Sequence, residues 1–310
     1  VSAALELFLP PLAHGAPLSP DASVWAHWNR DPVAWINLAL FAALYARGWS
    51  RRHAARGEPT PEQQRQAWAF WSGWACLGVA LVSPIDVLAA ELLWVHMVQH
   101  MVLMNLAAPL IVLGAPVRTM LWALPTPERQ IPGHARRWLE QRARIPRYLF
   151  WQPITLWLLY ALVMWVWHLP RLYEAALRHD LVHDLQHLMF FAVSCLFWRV
   201  LFDPIGRLRM SQGAAVLYLF LTSLHATILG VFMALAPTLW YPTYAGRTEP
   251  WGLSALGDQQ LAGYIMWMPA CMMYALVAAV LFARWLAEEH NVQAPRTPQA
   301  AAIAPASKSP

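Results

Sequence analysis

Seven long, mostly apolar stretches limit what this 310-residue chain can fold into. Crossing the hydrocarbon layer takes roughly 17 to 25 such residues in a helix. The candidates are residues 32–48, 66–83, 88–113, 150–168, 181–201, 213–236 and 259–285. With 58% hydrophobic and only 13% charged residues, the chain lies outside the soluble range. The expected fold is all-α: a polytopic membrane protein of about seven transmembrane helices. Pro109, near the end of the third stretch, removes a helical hydrogen bond, so a kink or break is expected there.

Loop charge sets an expected orientation. With the N-terminus outside and the C-terminus cytoplasmic, all of the 22 basic residues except Arg30, Arg171, Arg178 and Arg247 face the cytoplasm, as the positive-inside rule favours. The domain reading that follows is an extracytoplasmic segment at 1–31, a membrane domain at 32–285 with a basic cytoplasmic loop at 117–149, and a disordered cytoplasmic tail at 286–310. Within the loop, residues 132–146 carry Trp138 and Leu139 among arginines. They read either as a basic helix attracted to anionic membrane lipid or as a solvated loop. The net charge of +5 is thus accounted for by loops, which excludes nucleic acid as a partner. Cys76, Cys195 and Cys271 share no C-x-x-C spacing, so neither a disulfide framework nor a thiolate site is expected. The sequence starts at Val1, and its first residues are too short and too poor in Arg and Lys for a signal peptide; an incomplete N-terminus stays open.

Two pentapeptides inside the apolar runs carry the chemistry. His96-Met97-Val98-Gln99-His100 and His183-Asp184-Leu185-Gln186-His187 both read H-x-x-Q-H. The four-residue step puts each pair of imidazoles on one helix face, where they can share a metal. Ionisable groups in lipid-spanning helices are costly and default to function. Counting from Leu88 and Leu181, His96 and His100 would lie about 12 and 18 Å inward, and His183 and His187 about 3 and 9 Å inward. His168 ends the fourth stretch at the same surface and His225 lies on the sixth, so six histidines are expected around one outward-facing cavity. Met104 continues the His96, His100 ladder. Imidazole suits copper, zinc and iron, and a thioether tilts the choice toward copper. The competing readings are Met as a gap filler and His225 as a helix-to-helix hydrogen bond. Asp184 is a candidate second acceptor for an imidazole. Asp258, at the start of the last stretch, reads first as an N-cap of its own helix and second as a carboxylate offered to the cavity.

The motif is embedded in a partial repeat. Pro84-Ile85-Asp86, then Ala89-Ala90, leads to the first pair, and Pro170-Arg171-Leu172, then Ala175-Ala176, leads to the second. Two helices entering from the same side would be related by an axis along the membrane normal. No G-x-S-x-G, H-E-x-x-H or glycine-rich phosphate loop occurs, which removes the common hydrolase and nucleotide-binding readings.

The runs HMVQHMVLMNLAAPLIVLGAP from His96, WHLPRLYEAAL from Trp167 with HDLQHLMFF after it, and DQQLAGYIMWMP from Asp258 resemble the multi-span CtaG-type cytochrome c oxidase assembly factors of bacteria. The single-span copper chaperone that shares that family name is a different protein. The resemblance implies a non-enzymatic protein of the plasma membrane that serves a haem-copper oxidase, through copper delivered to an oxidase subunit. It carries His96, His100, His183, His187, His168 and Asp258 as motif positions. Two rivals stand beside it: a copper permease, continued inward by His225 and the Met-rich last stretch, and a membrane protein with histidine-ligated haem.

Overall fold

The computed structural model describes residues 23–125, 152–202 and 210–293. The expected extracytoplasmic segment up to residue 22, the basic stretch 132–146 and the tail beyond 293 lie outside the described residues. Ten α-helices carry the described chain: α1 (Pro32–Arg56), α2 (Pro61–Val82), α3 (Pro84–Ala89), α4 (Leu93–Leu113), α5 (Pro116–Met120), α6 (Pro153–Trp167), α7 (Pro170–Arg178), α8 (Asp180–Phe202), α9 (Gln212–Ala234) and α10 (Ala255–Gln293). Six of them begin at a proline, whose fixed φ and missing N–H suit the first helical position. Local caps reinforce those starts. The Asp31 carboxylate accepts from the Val33 and Ala34 amides, and Thr60 with Gln63 forms a reciprocal capping box.

Helices occupy all seven apolar stretches, and the protein is all-α and polytopic. Four of them, α4, α8, α9 and the Ala255–Ala287 part of α10, are long and apolar enough to cross a membrane, and α6 with α7 makes a fifth candidate bent by 72°. The bend falls where Leu169 precedes Pro170, with ψ of 131°, because the ring of a proline drives the preceding residue out of the helical region. The first two helices have 25 and 22 residues but mix in polar turns: Arg51, Arg52 and Arg56 end α1, and Glu62 to Gln66 open α2.

Three boundaries differ from expectation. The third span starts at Leu93 rather than Leu88, after the separate short helix α3. Leu92 is extended, with φ of −129°, so the chain turns a corner before α4 begins. Pro109 produces neither a break nor an end. Its effect is met by a π-helical turn over Val102–Ala107, a common accommodation of a lost ladder bond. The Ala108 amide bonds the Leu103 carbonyl, and the next donor in that register would be Pro109, which has no N–H. The Met104 carbonyl is thereby orphaned, and the buried Trp198 indole of α8 donates to it at 2.9 Å. Trp198→Phe should therefore cost about 1–3 kcal/mol, the penalty for an unsatisfied buried acceptor; a melt in detergent with unchanged midpoint would refute this account of the turn. Finally, the tail expected to be disordered from 286 is helical as far as Gln293, since Leu286, Ala287, Glu288 and Glu289 are good helix formers.

Close backbone approach locks α9 to α10. A Cβ on Gly263 would sit 2.5 Å from the Ala234 nitrogen, and one on Gly230 would sit 2.8 Å from the Trp267 Cβ. In lipid, where burial of apolar surface drives little, such small-residue contacts supply the packing.

Candidate metal centre

The two H-x-x-Q-H segments occupy the same place in their helices. His96 and His100 are the fourth and eighth residues of α4, and His183 and His187 are the fourth and eighth of α8. Each helix follows a short proline-initiated one, α3 or α7, so the sequence repeat is a structural repeat. Measured from the helix starts, both first histidines lie about 4.5 Å in and both second histidines about 10.5 Å in, which replaces the unequal depths expected from the apolar limits.

The repeat brings the imidazoles together. Ring centroids of His96 lie 5.4 Å from His183 and 5.8 Å from His187, and His100 lies 5.2 Å from His187. Farther along both helices, one turn past His100 and about three turns past His187, Met104 and Trp198 are joined by the indole bond, so α4 and α8 run parallel. One ligand nitrogen each from His96, His100 and His187 lies within 4.8 Å of the others, near the spacing that bonds of about 2 Å to one ion would set. His183 packs on His187 at 4.1 Å, and His168, from the end of α6, lies 6.4 Å from His100.

Partners fix the tautomers of two rings. The Tyr244 hydroxyl donates to the Ala89 carbonyl at 3.1 Å. Burial holds its phenol well above its ordinary pKa, so it stays protonated. Its oxygen is left to accept from His96 Nδ1–H at 3.3 Å, and His96 Nε2 keeps its lone pair, 3.0 Å from His100 Nε2. In His168, Nδ1–H donates to the Met164 carbonyl at 2.6 Å. Its buried Nε2 then holds a lone pair with no hydrogen-bond partner among the described residues. A ring anchored at Nδ1 with Nε2 turned inward is the arrangement of a metal-binding histidine.

The open cavity expected from the sequence is covered. The five histidines are between 1% and 7% exposed, because the segment between α9 and α10 folds back as a roof. Tyr173 of α7 packs on His96 and His168, and Tyr241 packs on Tyr173 at 4.2 Å. The Tyr241 hydroxyl donates to the His168 carbonyl. Burial, and then the nearby Glu174 carboxylate, raise its pKa too. Two carboxylates tie the roof down: Glu174 accepts from the Thr243 amide at 3.0 Å and pairs with Arg178 at 2.6 Å, while Glu91, at the corner before α4, pairs with Arg247 at 3.7 Å. Burial lowers the Arg247 pKa and the Glu91 carboxylate opposes this.

Other expected site residues stand apart. His225 faces Trp157 and Tyr160. Tyr160 lies two turns back from His168 on α6, about 12 Å away, so His225 is not in the group. Met104 is buried one turn beyond His100, and Asp184 lies on the exposed side of α8. Asp258 is not the cap of its own helix. Its carboxylate, fully buried, accepts from the Leu93 and Trp94 amides at 2.7 and 3.2 Å and so caps α4, the helix bearing His96 and His100. Gln99 is the other positioning residue. Its amide donates to Asp86 at 2.6 Å and to the Ala80 carbonyl at 2.8 Å, and Asn29 donates to the second Asp86 oxygen at 2.7 Å. Of these, Asp86 and Gln99 had a visible signal, the repeated proline triplet and the Gln of the motif. The roof tyrosines had none at short range.

These features define a class, a multi-span helical membrane protein with a buried imidazole cluster held between two parallel repeated helices. The family model for the cytochrome c oxidase caa3 assembly factor matches residues 43–288, and the chain belongs to that family. It is a protein of the bacterial plasma membrane. Uncharacterised proteins of Mycobacterium bovis and Mycobacterium tuberculosis are each 27% identical to it over 91% of this chain and 43% of their own length. One from Mycobacterium leprae is 25% identical over 86% of this chain and 40% of its own. The chain thus spans less than half the length of these relatives. No solved structure matches it.

Proposed function

We propose that the protein holds copper at the histidine cluster and delivers it to a catalytic subunit of a haem-copper oxidase from the outer face of the membrane. The observation that carries this is the group of three buried imidazoles with ligand atoms within 4.8 Å. His96, His100 and His187 would hold the ion, with His183 and His168 beside them to take it over. Met104 adds a thioether if its sulfur reaches the site, and Asp258 and Asp184 act behind the ligands. Imidazoles alone suit zinc and iron as well, so the choice of copper rests on the oxidase that the family serves. Seven crossings with the N-terminus outside put the cluster near the outer surface, at the N-terminal ends of α4 and α8, and the charge asymmetry of the loops supports that orientation.

Purified protein should retain copper in preference to zinc, and His96→Ala with His100→Ala should abolish retention. In cells that double variant should insert normally while the oxidase loses copper, even with a copper-replete cytoplasm. Normal oxidase copper would overturn delivery; rescue by cytoplasmic copper would point to a permease, and a Soret band without copper to a haem protein. Met104→Leu should weaken cuprous binding only if the thioether is a ligand. Tyr244→Phe, which removes the acceptor that orients His96, should weaken metal binding by about 10-fold. Competition with a chelator measures it, and unchanged affinity would show that the orientation is held otherwise.

A further inference from the structure

The two glutamines of the repeat have different surroundings. Gln99 is anchored by Asp86 and the Ala80 carbonyl. In the second copy Leu172 stands where Asp86 stands in the first. Gln186 is fully buried, and neither its Oε1 nor its Nε2 has a hydrogen-bond partner among the described residues. A carboxamide buried with both ends unmet is costly, and such groups in native proteins are met by water or a ligand. Its position says which. Gln186 follows His183 by three residues and precedes Phe190 by four, on one buried strip of α8. His183 packs against His96, and Phe190 packs against both His100 and His168. The carboxamide is therefore bracketed on both sides by residues of the cluster and adjoins His187.

We propose that Gln186 is a binding residue: its carboxamide hydrogen-bonds a small polar co-ligand, water or a monovalent anion, that occupies the cluster together with the metal. Gln99 is a structural residue by contrast. Duplication has thus given one motif two uses, one glutamine fastening its helix and the other facing the cargo. The inference rests on the metal-site reading. It implies that three imidazoles leave the ion a position open to an exchangeable ligand, which is what passage to a recipient requires.

Azide titration of the cupric-loaded, full-length protein in detergent tests it, with Gln186→Met and Gln186→Leu against Gln99→Met. Loss of one hydrogen bond to an anion should weaken azide binding about 10-fold or more in both Gln186 variants. Their metal-free forms should melt at or above the wild-type temperature, because an unmet carboxamide has been removed, whereas Gln99→Met should melt lower. Unchanged azide affinity would overturn the inference and leave the metal site standing. A Gln186→Met melt lowered as far as that of Gln99→Met would also overturn it, by showing a structural carboxamide. Wild-type protein that holds no cupric ion would overturn both.

Discussion

Asp258→Ala should destabilise the protein by about 3–5 kcal/mol, since it strands two buried amide donors that now share a charged acceptor. The Leu93 and Trp94 N–H groups open α4 with no other cap, and His96 follows within the first turn. The loss should fall on the site as well as on stability, with metal affinity dropping alongside the melting temperature. Asp258→Asn keeps one oxygen in place and should lose about half as much. Equal stability of wild type and Asp258→Ala in a denaturant titration would show that α4 does not depend on this carboxylate.

Gly263→Val should be at least as damaging. The first added carbon meets the Ala234 nitrogen at 2.5 Å and the Gly230 carbonyl oxygen at 2.7 Å, which are backbone atoms that no rotamer can move aside. Helices α9 and α10 must separate, at a cost of about 3 kcal/mol or more, above the usual range for overpacking because the obstacle is main chain. Asp258 lies five residues earlier on the same helix, so the displacement also pulls the cap from α4. Combined with Asp258→Ala, the two changes should be less than additive. Gly78, where an added Cβ meets nothing within 4 Å, is the control: Gly78→Val should change the melt little. A Gly263→Val protein as stable as that control would refute the close packing.

What the sequence disclosed divides by range. Apolar length alone located every long helix among the described residues, and the four-residue histidine step anticipated which imidazoles share a face, because both signals are local. Pro109 announced a disturbance in α4 but not its form, since whether a chain breaks or widens depends on a donor such as Trp198 from another helix. The corner at residues 90–92 was hidden by Leu92 and Leu93, which continue the apolar run. Asp258 looked like a cap because Asp often is one; that it caps a helix 165 residues away is a tertiary fact without local trace. The same holds for Tyr241 and Tyr244, which in sequence are ordinary interfacial aromatics and in the fold cover the cluster.

That cover bears on time rather than affinity. An ion seated among the five histidines would have no direct path to solvent past Tyr173, Tyr241 and Tyr244, and both carboxylate ties would have to part before it left. Its residence would be set by the opening rate of the segment between α9 and α10, so scavenging thiols and chelators outside the membrane would draw it off slowly, at a rate independent of how tightly they bind. Given time they would still reach the equilibrium their affinity sets. A recipient that pries the roof open would draw the ion out on demand, and cargo would be lost quickly only in its presence.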